Sequence, residues 1–205
     1  KRYNVRSNVE TKVGSRFKAG VNIAYTLSDF AEPTNPYTGD FSQFFRQINR
    51  ISPMVPYKYS DGSYGSVGDG NPMAWMDLGA QNKRKTNSFL GILTGQYEIL
   101  PGLKIKNIFS YRLINTQGTK FIKDIQFYNF PAHTPKLYQG PNSLDNSSNN
   151  TTVTSNQVLL TYDHSFGKHN IHLLAGQQAE LTQNQYLGGY RKNFLSNNLY
   201  QLNAG

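Results

Sequence analysis

The side chains that could carry chemistry in this 205-residue sequence are few and scattered. A metal site or a general base would draw on the four histidines, His133, His164, His169 and His172. His169 and His172 would share one face of a helix, but in a strand they point to opposite sides. No carboxylate accompanies them at the spacing of metal ligands, and cysteine is absent, which excludes disulfides and thiolate sites. We therefore predict no catalytic residue, no metal and no cofactor.

Aspartates and glycines gather in a turn-rich passage that could be taken for an ion or phosphate site. Asp61, Asp69 and Asp77 lack the spacing of an EF-hand loop, so the capping of turns is favoured over calcium binding. The glycines between them lack the flanking strand and helix that a phosphate-binding loop requires. A nucleophile elbow is also absent. This passage therefore does not predict an enzyme.

Aromatic side chains beside hydrogen-bonding groups favour binding over catalysis. Flat rings next to Asp, Asn and Ser side chains suit sugar faces or peptide backbones. The candidate contacts in this passage are Tyr57, Tyr59, Asp61, Tyr64, Asn71 and Trp75. Three roles stay open for them: packing of the loop against itself, contact with a lid protein, and direct contact with a solute.

Positive charge dominates, with 21 Lys and Arg against 12 Asp and Glu and a formal net charge of +9. The basic residues are scattered along the chain instead of forming a basic helix or a dense tract, so nucleic-acid binding is not predicted. Lys83, Arg84 and Lys85 stand just before a predicted strand. There they form either a solvated cluster or a contact for lipid phosphates at a membrane border.

The elements that must position these side chains are indicated by an alternation of apolar and polar residues. In residues 2–13 one face is mostly apolar and the other polar, and after a turn at Gly14-Ser15 the rhythm restarts over residues 17–28. Runs of about 12 residues exceed the ~5–6 of ordinary strands and suit a strand that crosses a bilayer, which needs roughly 9 to 11. The pattern predicts a transmembrane hairpin, and the alternative is a sandwich hairpin with one wet face.

Further strands are predicted at residues 87–99, 103–115, 152–164 and 170–180, which gives three hairpins with short turns. Long loops are predicted over 29–86, 116–151 and 181–205. Membrane barrels alternate short periplasmic turns with long outer loops, whereas soluble domains rarely have irregular connections beyond about 12 to 15 residues. The sequence therefore predicts an all-β fold, an antiparallel transmembrane β-barrel segment of about six strands with short periplasmic turns and long extracellular loops.

Local features of these segments lead to further expectations. Asp40 is predicted to cap a short helix with an apolar face formed by Phe41, Phe44, Phe45 and Ile48, ending before Pro53. The Asn/Ser/Thr tract from Asn142 to Thr154 is predicted to be mobile. The polar faces of the strands carry the basic residues predicted to line a lumen, which are Arg2, Arg6, Lys18, Lys104, Lys106 and Arg112.

Several segments, taken in order, carry a resemblance to a known family. They are the basic opening strand Arg2–Asn8, the passage Pro53–Tyr57 with Asp61–Tyr64 and Asn71-Pro72, the hairpin Tyr97–Lys104, the hairpin from Leu160-Thr161-Tyr162 to Gly176, and the tail from Gly188 to Leu199. This ordered set spans nearly the whole chain. It resembles the SusC/RagA-like TonB-dependent outer-membrane transporters of Bacteroidetes-type bacteria.

The resemblance implies a large barrel of about 22 strands with an N-terminal plug. Members import oligosaccharides or peptides beneath a SusD-like surface lipoprotein that acts as a lid, with energy from the TonB system through the plug. The implied partners are this lipoprotein, the TonB system, outer-membrane lipid and the solute. The basic lumen residues would pair with plug carboxylates or with solute.

The number of predicted strands and the absence of a recognisable plug suggest an incomplete barrel. Eight strands are the smallest number that closes an outer-membrane barrel, so we expect the sequence, which stops within a predicted outer loop, to be a piece of a longer polypeptide. Separate chains that together complete a barrel are the other possibility. The alternative functions are a non-transporting surface-binding or adhesin barrel and a soluble glycan-binding β protein.

Overall fold

The computed structural model describes residues 1–66, 68–78 and 80–203. The fold is predominantly β, as predicted. Six long strands are β1 (Arg2–Val13), β2 (Phe17–Pro33), β4 (Gln81–Leu100), β5 (Leu103–Ile122), β8 (Ser143–Phe166) and β9 (His169–Lys192). The shorter elements are the strands β3 (Tyr64–Gly65), β6 (Ile125–Tyr128) and β7 (Pro135–Gln139) and the helices α1 (Ser42–Ile48) and α2 (Pro72–Asp77).

The first hairpin shows how sequence alternation becomes two chemically distinct faces. β1 and β2 pair antiparallel, with Val5 opposite Tyr25 and Val9 opposite Val21. Residues directly opposite each other point to the same side of a sheet. Every apolar residue of β1 therefore faces a partner on the apolar side of β2. Gly14 closes the hairpin at a φ of 65°, a conformation that a residue with a Cβ adopts only at a cost.

The long strands form one open sheet in the order β1-β2-β4-β5-β8-β9. Among the described residues, β1 and β9 are its two edge strands. No helix in the described part of the chain is long and apolar enough to cross a bilayer.

In the unit formed by residues 1–28, 85–116 and 149–186, the apolar face of β4 and β5 is more exposed than their polar face, whereas β1 at the edge of the sheet is exposed on both faces. In β4, Leu93 has 53% and Tyr97 has 45% of its surface exposed, whereas Thr94 and Gln96 on the opposite face are half-buried. A soluble sheet turns its apolar residues towards a core. An exposed apolar face of this extent is typical of an interaction with another protein or with a membrane.

Several strands extend into residues that the sequence predicted to be loops, so the predicted bounds of those loops need correction. β2 continues to Pro33, and β4 begins at Gln81. The predicted loop over 116–151 loses residues to β5 and β8 and contains β6 and β7. In the predicted loop over 181–205, β9 continues to Lys192, and Ala204 and Gly205 lie outside the described residues.

The polar tract from Asn142 to Thr154 was predicted to be mobile, and this prediction is wrong because β8 begins at Ser143. Two side chains of the tract, those of Asn150 and Thr151, pair with polar partners on neighbouring strands. The amide of Asn115 donates to Asn150, and the Thr151 hydroxyl donates to Asn184 Oδ1 at 3.0 Å. Cross-strand polar pairs stabilise a sheet. The prediction relied on the polar composition of the tract alone, which does not reveal such pairs.

A second unit, formed by residues 29–84, 117–148 and 187–205, contains both helices and a small sheet. In this sheet β6 pairs parallel with β3 and antiparallel with β7. A cluster of buried apolar side chains forms the core of the unit: Phe44, Ala74, Trp75, Ile125 and Phe127.

Helix α1 differs in detail from the predicted helix. Its N-cap is Phe41, which makes no side-chain capping bond. Asp40 lies one residue earlier, where its carboxylate accepts a hydrogen bond from the backbone N–H of Ser42 at 2.9 Å, and this bond lowers the pKa of Asp40. Of the predicted apolar face only Phe44 is buried, because the helix packs through Phe44 and Gln47.

Candidate functional site

The six predicted ligand or lid contacts lie at different depths. Asn71 and Trp75 are fully buried. Tyr59 and Tyr64 are half-buried, Tyr57 is 50% exposed, and Asp61 is exposed. Packing of the loop against itself therefore describes Asn71 and Trp75 best, and surface contact with another molecule is open to Tyr57 and Asp61.

Asn71 holds the turn-rich passage together through its amide. Its Nδ2 donates to the carbonyl oxygens of Tyr57 at 2.9 Å and Gly65 at 2.8 Å. Its Oδ1 accepts from the backbone N–H groups of Met73 and Ala74, which makes Asn71 the N-cap of α2. The sequence prediction missed this helix, although an N-cap Asn followed by Pro72 at the first helical position is a recognisable start signal.

Trp75 is the central side chain of the second unit. Its indole Nε1 donates to Gln139 Oε1 at 3.0 Å, and its ring meets Phe44 edge-on with the centroids 5.3 Å apart. Gly70 makes this packing possible, because its φ is 135° and a Cβ at that position would lie 2.5 Å from Trp75 Cζ2. The hydrogen bond to Gln139 and the packing against Phe44 therefore both fix the position of the indole ring.

A polar cluster joins the 57–63 segment to the loop after β6. His133 Nε2 lies 2.8 Å from the Ser63 hydroxyl and 3.4 Å from Asp61 Oδ2, and the imidazole packs against the Tyr59 ring. Hydrogen bonds from the side chain and backbone of Ser63 lower the pKa of Asp61. Because serine and aspartate meet the same nitrogen, this arrangement does not form a Ser-His-Asp relay, in which each contacts a different nitrogen.

Tyr64 and Tyr57 occupy the surface of the same passage. The Tyr64 hydroxyl donates to Asp77 Oδ2 at 3.3 Å, and the Lys58 ammonium lies 5.2 Å from the centre of the Tyr64 ring. The Tyr57 carbonyl is held by Asn71 while its ring is half exposed. A restrained backbone under an exposed ring suits a contact surface, because little backbone freedom is lost on binding and a tyrosine has only two side-chain torsions to order.

The basic residues predicted to line a lumen lie on the polar face of the sheet where the register is described. Arg2 is opposite Ser28, Arg6 is opposite Ala24, and Lys18 is opposite Lys12. Lys104 lies 4.0 Å from Asp163. Lys106 shares with Lys18 a cleft of about 300 Å³ that Glu10, Thr94 and Gln96 also line.

The sequence prediction missed a charged cluster beside α1. Arg50 and Arg46 contact Asp69 Oδ2 at 2.7 and 3.1 Å, and the Gln139 amide donates to the Asp69 carbonyl. Asp69 also lines a cleft of about 250 Å³ with Tyr37 and Tyr138. These partners are 19 or more residues apart in sequence, so no local motif indicates them. In the described part of the chain, no three His, Asp or Glu side chains gather closely enough to hold a metal.

Long antiparallel strands with an exposed apolar face and a polar opposite face are typical of outer-membrane β proteins. The chain is 28% identical over 204 residues to the TonB-dependent receptor P3 of Formosa agariphila. The similarity covers 96% of this chain but spans only 19% of the length of that relative. No protein-family model matches the chain. The similarity fits a fragment of a TonB-dependent transporter.

Proposed function

We propose that this chain forms part of the barrel wall and outer loops of a TonB-dependent importer in a bacterial outer membrane. The observation that carries the proposal is the exposed apolar face of the long-stranded sheet, with Leu93 53% exposed. Water makes such a face costly, and the hydrocarbon of a bilayer does not. The similarity to a TonB-dependent receptor supports the same assignment.

The length of the apolar face on β4 agrees with the thickness of a membrane. Its exposed apolar side chains extend from Ile99 to Phe89. Ten residue steps at ~3.3 Å and a strand tilt of ~40° correspond to about 25 Å along the membrane normal, the height of the apolar band on outer-membrane barrels. This agreement supports a single crossing of the bilayer by β4.

The polar face is then the lumen side of the wall. Arg2, Arg6 and Lys18 lie on this face in the first hairpin, and Lys106 lines the same cleft as Lys18. Lys104 and Arg112 follow the same alternation in β5. These cations would meet carboxylates of a plug or of a solute, which would balance their charge.

The imported solute is proposed to be a bulky nutrient, an oligosaccharide or a peptide, delivered with a SusD-like surface lipoprotein as in SusC/RagA-type importers. Of the six predicted contacts, Tyr57 and Asp61 have the exposure needed to meet the solute or this lid. Asn71 and Trp75 would support them from below, because their side chains are engaged within the fold.

The transport proposal is tested by measuring solute uptake in the host bacterium with and without the gene and with and without a functional TonB system. We expect uptake of one labelled oligosaccharide or peptide to fall to background on loss of either, because a plugged importer needs both. Binding to the cell surface should persist when only TonB is lost. If cells without the gene lose surface binding but keep the same solute uptake, the transport proposal is contradicted and the adhesin alternative is favoured.

A further inference from the structure

Before Phe89, towards the start of β4, the apolar face of the strand gives way to polar residues. Alternation along the strand places Asn87 and Lys85 on the same side as Phe89 and Leu93. Asn87 Oδ1 accepts a hydrogen bond from the Tyr25 hydroxyl at 3.0 Å. Tyr25 belongs to the apolar side of β2, where it lies opposite Val5. Apolar contacts therefore give way to hydrogen-bonding groups within a few residues.

The exposed apolar side of β4 from Phe89 to Ile99 is called the apolar band. The next step rests on the proposed function, which places this band in the hydrocarbon of the bilayer. Lys85 is four residues beyond Phe89, which is about 10 Å further along the membrane normal at ~3.3 Å per residue and a tilt of ~40°. The headgroup layer begins at the end of the band and is roughly 5 to 8 Å thick on each side. A lysine side chain is long enough to reach back into this layer.

The charge of Lys85 is available to a partner outside the protein. Its side chain is exposed, and within the described residues no carboxylate lies within 4.0 Å of its ammonium. Its neighbour Arg84 points to the other side of the strand, where its guanidinium lies 5.4 Å from the Phe30 ring centre. Arg84 and Lys85 therefore have different surroundings, and of this pair Lys85 is the one on the side of the apolar face.

We propose that Lys85, with Asn87 and Tyr25 beneath it, binds the phosphate of a lipid headgroup in the outer leaflet. The Lys85 ammonium supplies a positive charge and three hydrogen-bond donors. The Tyr25 hydroxyl donates to Asn87 Oδ1 and so fixes the orientation of the Asn87 amide. The Nδ2 of this amide is then a further hydrogen-bond donor for the phosphate. A phosphate at the margin of the hydrocarbon would be bound by charge-assisted hydrogen bonds, which are stronger than those between neutral groups.

Native mass spectrometry of the full-length protein released from detergent tests this site. The probes are dioleoyl phosphatidic acid and dioleoylglycerol, which carry the same acyl chains and differ in the phosphate. We expect Lys85→Gln to lower retention of phosphatidic acid about fivefold, the effect of removing one lysine near an anionic headgroup. Retention of dioleoylglycerol should not change.

Arg84→Gln is the matched control, because it removes one positive charge from the other side of the same strand. It should leave phosphatidic acid retention within twofold of the parent protein, and millimolar inorganic phosphate should not displace the lipid. Equal retention in the parent and Lys85→Gln would overturn the proposal, as would an equal loss in Arg84→Gln. Displacement by free phosphate would indicate a site for soluble anions instead of lipid. Solute uptake is measured separately and tests the transport proposal alone. Failure of the lipid site and failure of the transport proposal are therefore distinguishable.

Discussion

Replacing Leu93 by arginine is expected to destabilise the folded protein in a membrane by about 2–4 kcal/mol, the cost of a cation on the lipid side of a barrel near the bilayer midplane. Leu93 lies near the middle of the apolar face of β4 and is 53% exposed. In a water-soluble sheet an exposed position would accept arginine with little cost. Urea unfolding of the full-length protein in liposomes measures the difference.

Thr94→Arg provides the comparison, because Thr94 is the next residue of the same strand and points to the polar face. It should cost less than about 1 kcal/mol, because the arginine would be on the solvated side, where charges interact weakly. Lys12, Lys18 and Lys106 of the same cleft would repel it, and Glu10 would offset part of this repulsion. If the two variants unfold alike, or if Thr94→Arg is the more destabilising, the assignment of the lipid-facing side is wrong.

Replacing Trp75 by alanine is expected to destabilise the second unit by about 3–5 kcal/mol, the usual cost of deleting a large buried aromatic side chain. The substitution would leave a cavity beside Phe44 and remove the hydrogen-bond partner of Gln139. Limited proteolysis of the full-length protein should show faster cleavage in residues 50–66. Cleavage in the β4–β5 hairpin should not change, because Trp75 belongs to the core of the second unit.

Trp75→Phe separates packing from hydrogen bonding. It keeps an aromatic ring against Phe44 but loses the bond to Gln139 Oε1, so we expect a smaller cost of about 1–3 kcal/mol. Trp75→Ala could instead resist the protease as well as the parent protein does and yet lose solute binding. This result would show that the ring contacts the solute and does not stabilise the core. That outcome would contradict the structural role given to Trp75.

The sequence was most predictive where one physical pattern dominates. In the first hairpin the alternation of Tyr3, Val5 and Val9 with polar residues predicts the same two faces that the β1–β2 register produces. The start of β8 was not predictable in this way. Its stability comes from cross-strand pairs such as Asn115 with Asn150, which no periodicity in a single segment reveals.

The candidate site was less predictable than the sheet. Aromatic content drew attention to the passage with Tyr57 and Trp75, but burial separates these residues, and burial depends on contacts with distant segments. Trp75 is buried because Gln139 and Phe127 pack on it from the small sheet. His133 meets Ser63 across 70 residues of sequence, so their association also required the fold.

Site-directed spin labelling tests most directly the central claim that the exposed apolar face of the sheet meets lipid. This segment has no cysteine, so Leu93→Cys and Thr94→Cys can each carry a label in the full-length protein after any cysteine elsewhere is replaced. In membranes, the label at residue 93 should be accessible to oxygen and protected from a water-soluble nickel complex, and the label at residue 94 should show the opposite preference. A label at residue 93 that the nickel complex reaches as readily as one at residue 94 would contradict the account.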